Sequence, residues 1–131
     1  MNKHNRSLIL AISCIWLAGC TTPPAEATPP AAAILITPQE AQDMMTDGVI
    51  VLDVRSQREH DAGHIAGAVL LPLDEIAYRA GTVIPDQNQI ILVYCQTGRR
   101  SSIAADSLIN LGYTNIFDIG GIVDWTGEVV E

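Results

Sequence analysis

The chain has 131 residues, a formal net charge of -8, 48% hydrophobic residues and 17% charged ones, which describes one globular domain plus an appendage. Seven basic residues against fifteen acidic ones argue against nucleic acid as a partner, because phosphate contacts need a Lys/Arg patch. Three cysteines are too few for a disulfide scaffold, and no CxxC or Cys/His spacing suggests a metal site.

At the amino terminus, Lys3 and Arg6 make a short basic start, and Leu8 to Ala18 run apolar with only Ser13 interrupting. That is the pattern of a secretory signal peptide over residues 1–19. The apolar run rises only about 16 Å as a helix, roughly half the hydrocarbon thickness of a bilayer, which argues against a membrane span. It ends in Leu17-Ala18-Gly19-Cys20, which resembles the bacterial lipobox and implies cleavage before Cys20 and lipid attachment to its thiol. Ordinary cleavage nearby, with Cys20 incidental, is the alternative. The lipidated Cys20 and the Pro/Ala-rich stretch after it, with paired prolines at 23–24 and 29–30, then form an extended tether over 20–33. An acylated Cys20 would leave the protein exported and anchored to a bacterial membrane, not spanning it, with its domain facing the periplasm or the outside.

Residues 34–131 alternate between strand and helix patterns. Ile34-Leu35-Ile36 is short and apolar, and Thr37-Pro38-Gln39-Glu40 reads as a capping box with proline at the first helical position. The helix is expected to reach about Asp47, where Gly48 closes it. Val49 to Val54 is a β-branched run of the kind buried on both faces of a parallel sheet. Ser56 with Glu59 marks another helix start, Ala68 to Leu71 a brief strand, and Pro72 to Ala80 a helix. Gln89 to Tyr94 is the clearest buried strand. Helical spacing covers Ser101 to Leu111, Asn115 to Ile119 is a strand, Gly120-Gly121 a turn, and Ile122 to Thr126 a short final helix. This alternation predicts an α/β sandwich around a mainly parallel sheet, whose ligands sit beyond the carboxyl ends of the strands. Cys95 falls there.

Cys14 lies in the signal segment and Cys20 would be acylated, so Cys95 is the one free thiol expected in the mature chain. Its segment, Cys95-Gln96-Thr97-Gly98-Arg99-Arg100-Ser101, must curl between a strand and a helix, which turns successive backbone N–H groups inward as an anion cradle. A cysteine at its mouth should have a stabilised thiolate, the nucleophilic form. Gly98 supplies the backbone freedom of a tight loop. Removing residues 1–19 takes away Lys3 and Arg6 and no acid, leaving five basic residues against fifteen acidic ones. Arg99 and Arg100 are two of those five, and they mark a local site for a small anion.

Four motifs carry a resemblance: Asp53-Val54-Arg55 with Glu59, Gly63-His64-Ile65-Ala66-Gly67-Ala68, Cys95-x-x-Gly98-x-Arg100-Ser101, and Gly120-Gly121-x-x-x-Trp125. In this order they resemble the single-domain rhodaneses, most closely the small exported bacterial ones. The resemblance implies a three-layer α/β sandwich and thiosulfate sulfurtransferase chemistry. Cys95 would take the outer sulfur of thiosulfate or another sulfane-sulfur donor as a persulfide, and pass it to a thiol or cyanide. Gln96, Thr97, Gly98, Arg99 and Arg100 would bind the substrate, through the loop amides and the two guanidinium groups. Asp53 and Arg55 would brace the loop from behind, the alternative for them being a surface ion pair. No metal or organic cofactor is required, and a monomer is expected. His64 reads as a backbone-bonded structural residue, His60 as solvated, Trp125 as a cover on the sheet, and Met44 and Met45 as packing.

Two rivals stand beside this reading. Cysteine phosphatases also cradle an anion in such a loop, but they place arginine after five intervening residues, where this chain has Ser101. A module that carries or binds sulfur without turnover is the other, and the retention of Cys95, Gly98 and Arg100 together argues against it.

Overall fold

The two β-branched runs lie side by side at the centre of the sheet, where a strand without polar positions can bury both faces. The computed structural model describes residues 31–131; the signal segment, Cys20 and the tether up to residue 30 lie outside the described residues. The chain order is β1 (Ile34–Leu35), α1 (Pro38–Met44), β2 (Val49–Asp53), α2 (Gln57–Asp61), β3 (His64–Ile65), β4 (Val69–Leu70), a 3₁₀ turn (Leu73–Glu75), α3 (Ile76–Val83), β5 (Ile90–Cys95), α4 (Arg99–Asn110), β6 (Asn115–Gly121), a 3₁₀ turn (Ile122–Asp124) and β7 (Val129–Val130). Five strands form a parallel sheet in the order β1-β6-β5-β2-β4, and β3 with β7 makes a separate antiparallel ribbon. The fold is the expected α/β sandwich around a parallel sheet.

Strand alternation sorts the core into two layers. From β5, Ile91, Val93 and Cys95 enter a cluster with Ile76 and Ala80 of α3 and Ala104 and Leu108 of α4. Leu92 and Tyr94 point the other way, toward Ala41 of α1 and Ile65 of β3, with Met44, Met45 and Trp125 packed against that layer. Each fully buried aliphatic side chain contributes roughly 1.5–3 kcal/mol relative to exposure, so β5 is stabilised from both sides along most of its length. That rigidity positions its carboxyl end, Cys95.

Both expected helix starts form as full capping boxes. Thr37 Oγ1 accepts the Glu40 N–H while Glu40 accepts the Thr37 N–H, and Ser56 and Glu59 exchange the same pair of bonds. Several boundaries differ from the expectation. The first helix ends at Met44 instead of near Asp47, because the Met45 backbone leaves the helical region and Thr46 to Gly48 turn into β2. The helix expected over Pro72 to Ala80 opens with a 3₁₀ turn and runs on to Val83. α4 begins at Arg99, two residues before Ser101, since Gly98 at φ 98° reverses the chain in one step. Gly120-Gly121 is not a turn but the end of β6, and only one 3₁₀ turn, not a helix, follows it. The β3–β7 ribbon went unread.

Candidate functional site: a cysteine cradle at the end of the central strand

β5 delivers Cys95 to the carboxyl edge of the sheet, and α4 starts only four residues later. The connecting loop therefore wraps the sulfur. The Gly98 N–H donates to Cys95 Sγ at 3.0 Å. Burial pushes the thiol pKa up, but the backbone N–H groups of Ser101, Gly98 and Thr97 and the Ser101 hydroxyl outweigh it, and the net shift is downward. Cys95 is 1% exposed, so its sulfur sits at the floor of the cradle. The arrangement can hold a thiolate, or an anionic sulfur attached to it, without a cation in direct contact.

The loop is held in place by β6. Val93 pairs with Asp118 and Cys95 with Gly121, so an irregularity between them brings the double glycine under the loop. A Cβ on Gly121 would lie 2.5 Å from the Gln96 carbonyl oxygen and 2.7 Å from Thr97 Cα. Close backbone approach, not turn formation, explains that glycine. Ser101 Oγ donates to the carbonyl of Gly98 at 2.9 Å and also reaches that of Gly120 at 3.4 Å. The hydroxyl thus ties the first turn of α4 to both loop and strand.

Asp53 and Arg55 are 0% and 3% exposed, which overturns the surface ion pair as their alternative. Arg55 grips Asp53 through Nε and Nη2 at 2.8–3.2 Å, donates to the Gly63 carbonyl, and extends Nη1 to Gln96 Oε1 at 3.1 Å. That last bond couples the segment just after β2 to the first residue of the loop. Burial raises the Asp53 pKa, but the Arg55 side chain and N–H, with His60 and Tyr94, hold it below its ordinary value. The Tyr94 hydroxyl donates to Asp53 Oδ2 at 2.9 Å and accepts the Ile65 N–H at 3.1 Å. Sequence reasoning passed over Tyr94. Its one signal was a hydroxyl at the end of a wholly apolar strand, a group that needs a partner when buried.

His60 is not solvated as expected. Its Nδ1 lies 3.0 Å from Asp53 Oδ2, and an ionised carboxylate only accepts, so Nδ1 carries the proton. Its ring stacks on His64 at 3.8 Å between centroids. His64 Nδ1 meets the His60 carbonyl at 2.9 Å, the backbone bond expected of it. Trp125 packs on the β5 layer and donates Nε1–H to the Glu128 carbonyl.

The two arginines part company. Arg100 forms a two-pronged pair with Glu59, Nη1 to Oε2 at 2.9 Å and Nη2 to Oε1 at 2.6 Å. Arg100 holds the Glu59 carboxyl far below the usual range. Glu59 thereby caps α2 and clasps α4 together. Arg99 is exposed and makes no ion pair among the described residues.

A sequence profile of the Rhodanese-like domain matches residues 37–128. The thiosulfate sulfurtransferase PspE of Escherichia coli is 38% identical over 73 residues, 56% of this chain and 70% of that protein. The thiosulfate sulfurtransferase GlpE of Pseudomonas entomophila is 33% identical over 86 residues, 66% of this chain and 77% of that protein. Among solved structures, a rhodanese with anions from Escherichia coli superposes with a TM-score of 0.60 at 35% identity, covering 63% of this chain and 96% of that one. The profile match takes in β2 to β6, the cradle and the Asp53–Arg55 brace, and the chain belongs to the rhodanese-like domain family.

Proposed function

We propose that this chain is a thiosulfate sulfurtransferase that works through a persulfide on Cys95. The observation that carries the reading is the sulfur itself: a thiol with lowered pKa, inside a ring of inward N–H groups, at the carboxyl end of the central strand. In the first half-reaction the Cys95 thiolate attacks the outer sulfur of thiosulfate. A bond forms from Sγ to that sulfur, the sulfur–sulfur bond of thiosulfate breaks, and its electron pair leaves with sulfite. The cradle N–H groups then stabilise the persulfide anion. Arg99, with no ion pair of its own, is available to the sulfonate end; Arg100 positions the loop through Glu59. Gln96, Thr97 and Gly98 contribute backbone, and Asp53 and Arg55 hold Gln96. A thiol or cyanide takes the sulfur in the second half-reaction, and ping-pong kinetics follow.

The test is mass spectrometry of the full chain incubated with thiosulfate. Wild type gains one sulfur on Cys95 and releases sulfite; Cys95→Ser does neither. Absence of the adduct on wild type, or turnover surviving in the serine variant, sinks the enzyme reading. A second reading, storage of sulfur without rapid turnover, draws support from the burial of Cys95. A relative in Bacillus subtilis named putative sulfur carrier protein YrkF is also 37% identical over 79 residues, although these span only 42% of it. A loaded chain that keeps its sulfur in excess thiol and cyanide would favour that reading. The signal segment and lipobox further support export and a lipid anchor on Cys20, with the domain facing the periplasm or the outside.

A further inference from the structure

The Cys95 side chain belongs to the α3/α4 layer of the core, where packed helices close it off, so an acceptor for its sulfur has to approach over the carboxyl edge of the sheet. Val54 and Leu71 share its packing cluster, and Leu73 lies against them. On this same side opens a pocket of about 430 Å³, floored by Val54, Pro72 and Leu73 and rimmed by Gln57, Asp74 and Arg100. A second concavity of about 350 Å³ lies on the other side, between Gly63, Gln96, Ile122 and Val129. The Glu59–Arg100 pair stands between them, Glu59 lining one and Arg100 the other.

Charge decides what the first pocket can take. Arg100 is neutralised by Glu59, Arg55 by Asp53, and Glu75 by Arg79. Asp74 is exposed at the rim and forms no ion pair among the described residues. The floor is aliphatic and the one uncompensated charge is negative. The volume falls in the range of small-molecule sites.

We propose that this pocket is the acceptor subsite, and that it selects organic thiols that are neutral or cationic over anionic ones. The inference rests on the persulfide reading above. In the step it serves, the acceptor thiol gives its proton to the outer sulfur of the Cys95 persulfide anion, and its own sulfur bonds to that outer sulfur as the Sγ–sulfur bond breaks. The electron pair returns to Sγ as thiolate, and the proton stays on the transferred sulfur of the acceptor hydropersulfide. The acceptor carries its aliphatic body over Val54 and Leu73 and any ammonium group toward Asp74.

The test isolates the second half-reaction. Full chain preloaded with sulfur, verified by mass, is mixed with cysteamine, 2-mercaptoethanol or thioglycolate, and decay of the persulfide is compared per thiolate present. The expected order of kcat/KM is cysteamine, then mercaptoethanol, then thioglycolate. Asp74→Asn narrows the ratio of cysteamine to thioglycolate by about fivefold, the effect of one partly screened charge at close range, and Asp74→Lys reverses the order. Thioglycolate reacting best with wild type, or a ratio unmoved by both substitutions, overturns the subsite. Loading of wild type, read as sulfite release, tests the parent reading separately; failure there removes the persulfide, whereas failure in the thiol series leaves it standing.

Discussion

Cys95 is held between two opposed effects, a burial that favours the neutral thiol and a set of donors that favours the thiolate. The donors win, so the reactive form is populated below the ordinary thiol pKa of about 8.5. Most of them are backbone groups, fixed by the fold, but one is the Ser101 hydroxyl. Ser101→Ala deletes that hydroxyl, whose one proton is divided between Sγ and the Gly98 carbonyl. A weaker set of donors lets the pKa rise toward the ordinary value, so thiolate is lost at the acid end of the range. The rate of sulfite release measured against pH should therefore show its acid limb displaced to higher pH in the variant, with an alkaline plateau retained. An unmoved limb would mean the hydroxyl only ties the loop to β6. The cysteine, Gly98 and the arginines were legible because their residue types are costly or idle in any other setting. The partner of Arg100 and the burial of Asp53 were not, since no sequence spacing says which side of a sheet a helix returns to.

At the scale of elements, the site is a loop and helix start clamped from three directions: by Arg55 just after β2, by Glu59 of α2, which holds Arg100 of α4, and by the double glycine of β6. The last clamp is steric. A methyl on Gly121 would collide with backbone atoms of Gln96 and Thr97, which cannot swing aside as a side chain can. Gly121→Ala should push the loop off β6, lowering stability by about 1–3 kcal/mol, the usual effect of overpacking. The same shift misaligns the N–H groups that face Sγ. Urea unfolding monitored by Trp125 fluorescence, with sulfite release assayed in parallel, checks both; a variant of unchanged midpoint and rate would show that the loop has slack. Long elements were readable because capping boxes and continuous apolar runs each carry several agreeing signals. The two-residue strands β3 and β7 carry none. They exist because distant residues, His64 with Val130 and Ile65 with Val129, meet in the folded chain.

For the molecule as a whole, charge and the proposed attachment would act in opposite directions. Without residues 1–19 the chain keeps five basic and fifteen acidic residues, and such a body is repelled by the anionic face of a bilayer within a Debye length. Electrostatic adhesion cannot hold it there. Under the proposed anchor, acyl chains on Cys20 would have to supply the affinity instead. The two contributions separate cleanly in salt. Membrane fractions of cells expressing the full chain should retain it through a high-salt wash and release it in detergent, and a palmitate analogue should label it. Cys20→Ala should appear in the soluble fraction at every salt concentration, unlabelled and still able to release sulfite. Label persisting in that variant, or wild type leaving the membrane in salt alone, would refute the anchor while leaving the chemistry of Cys95 untouched.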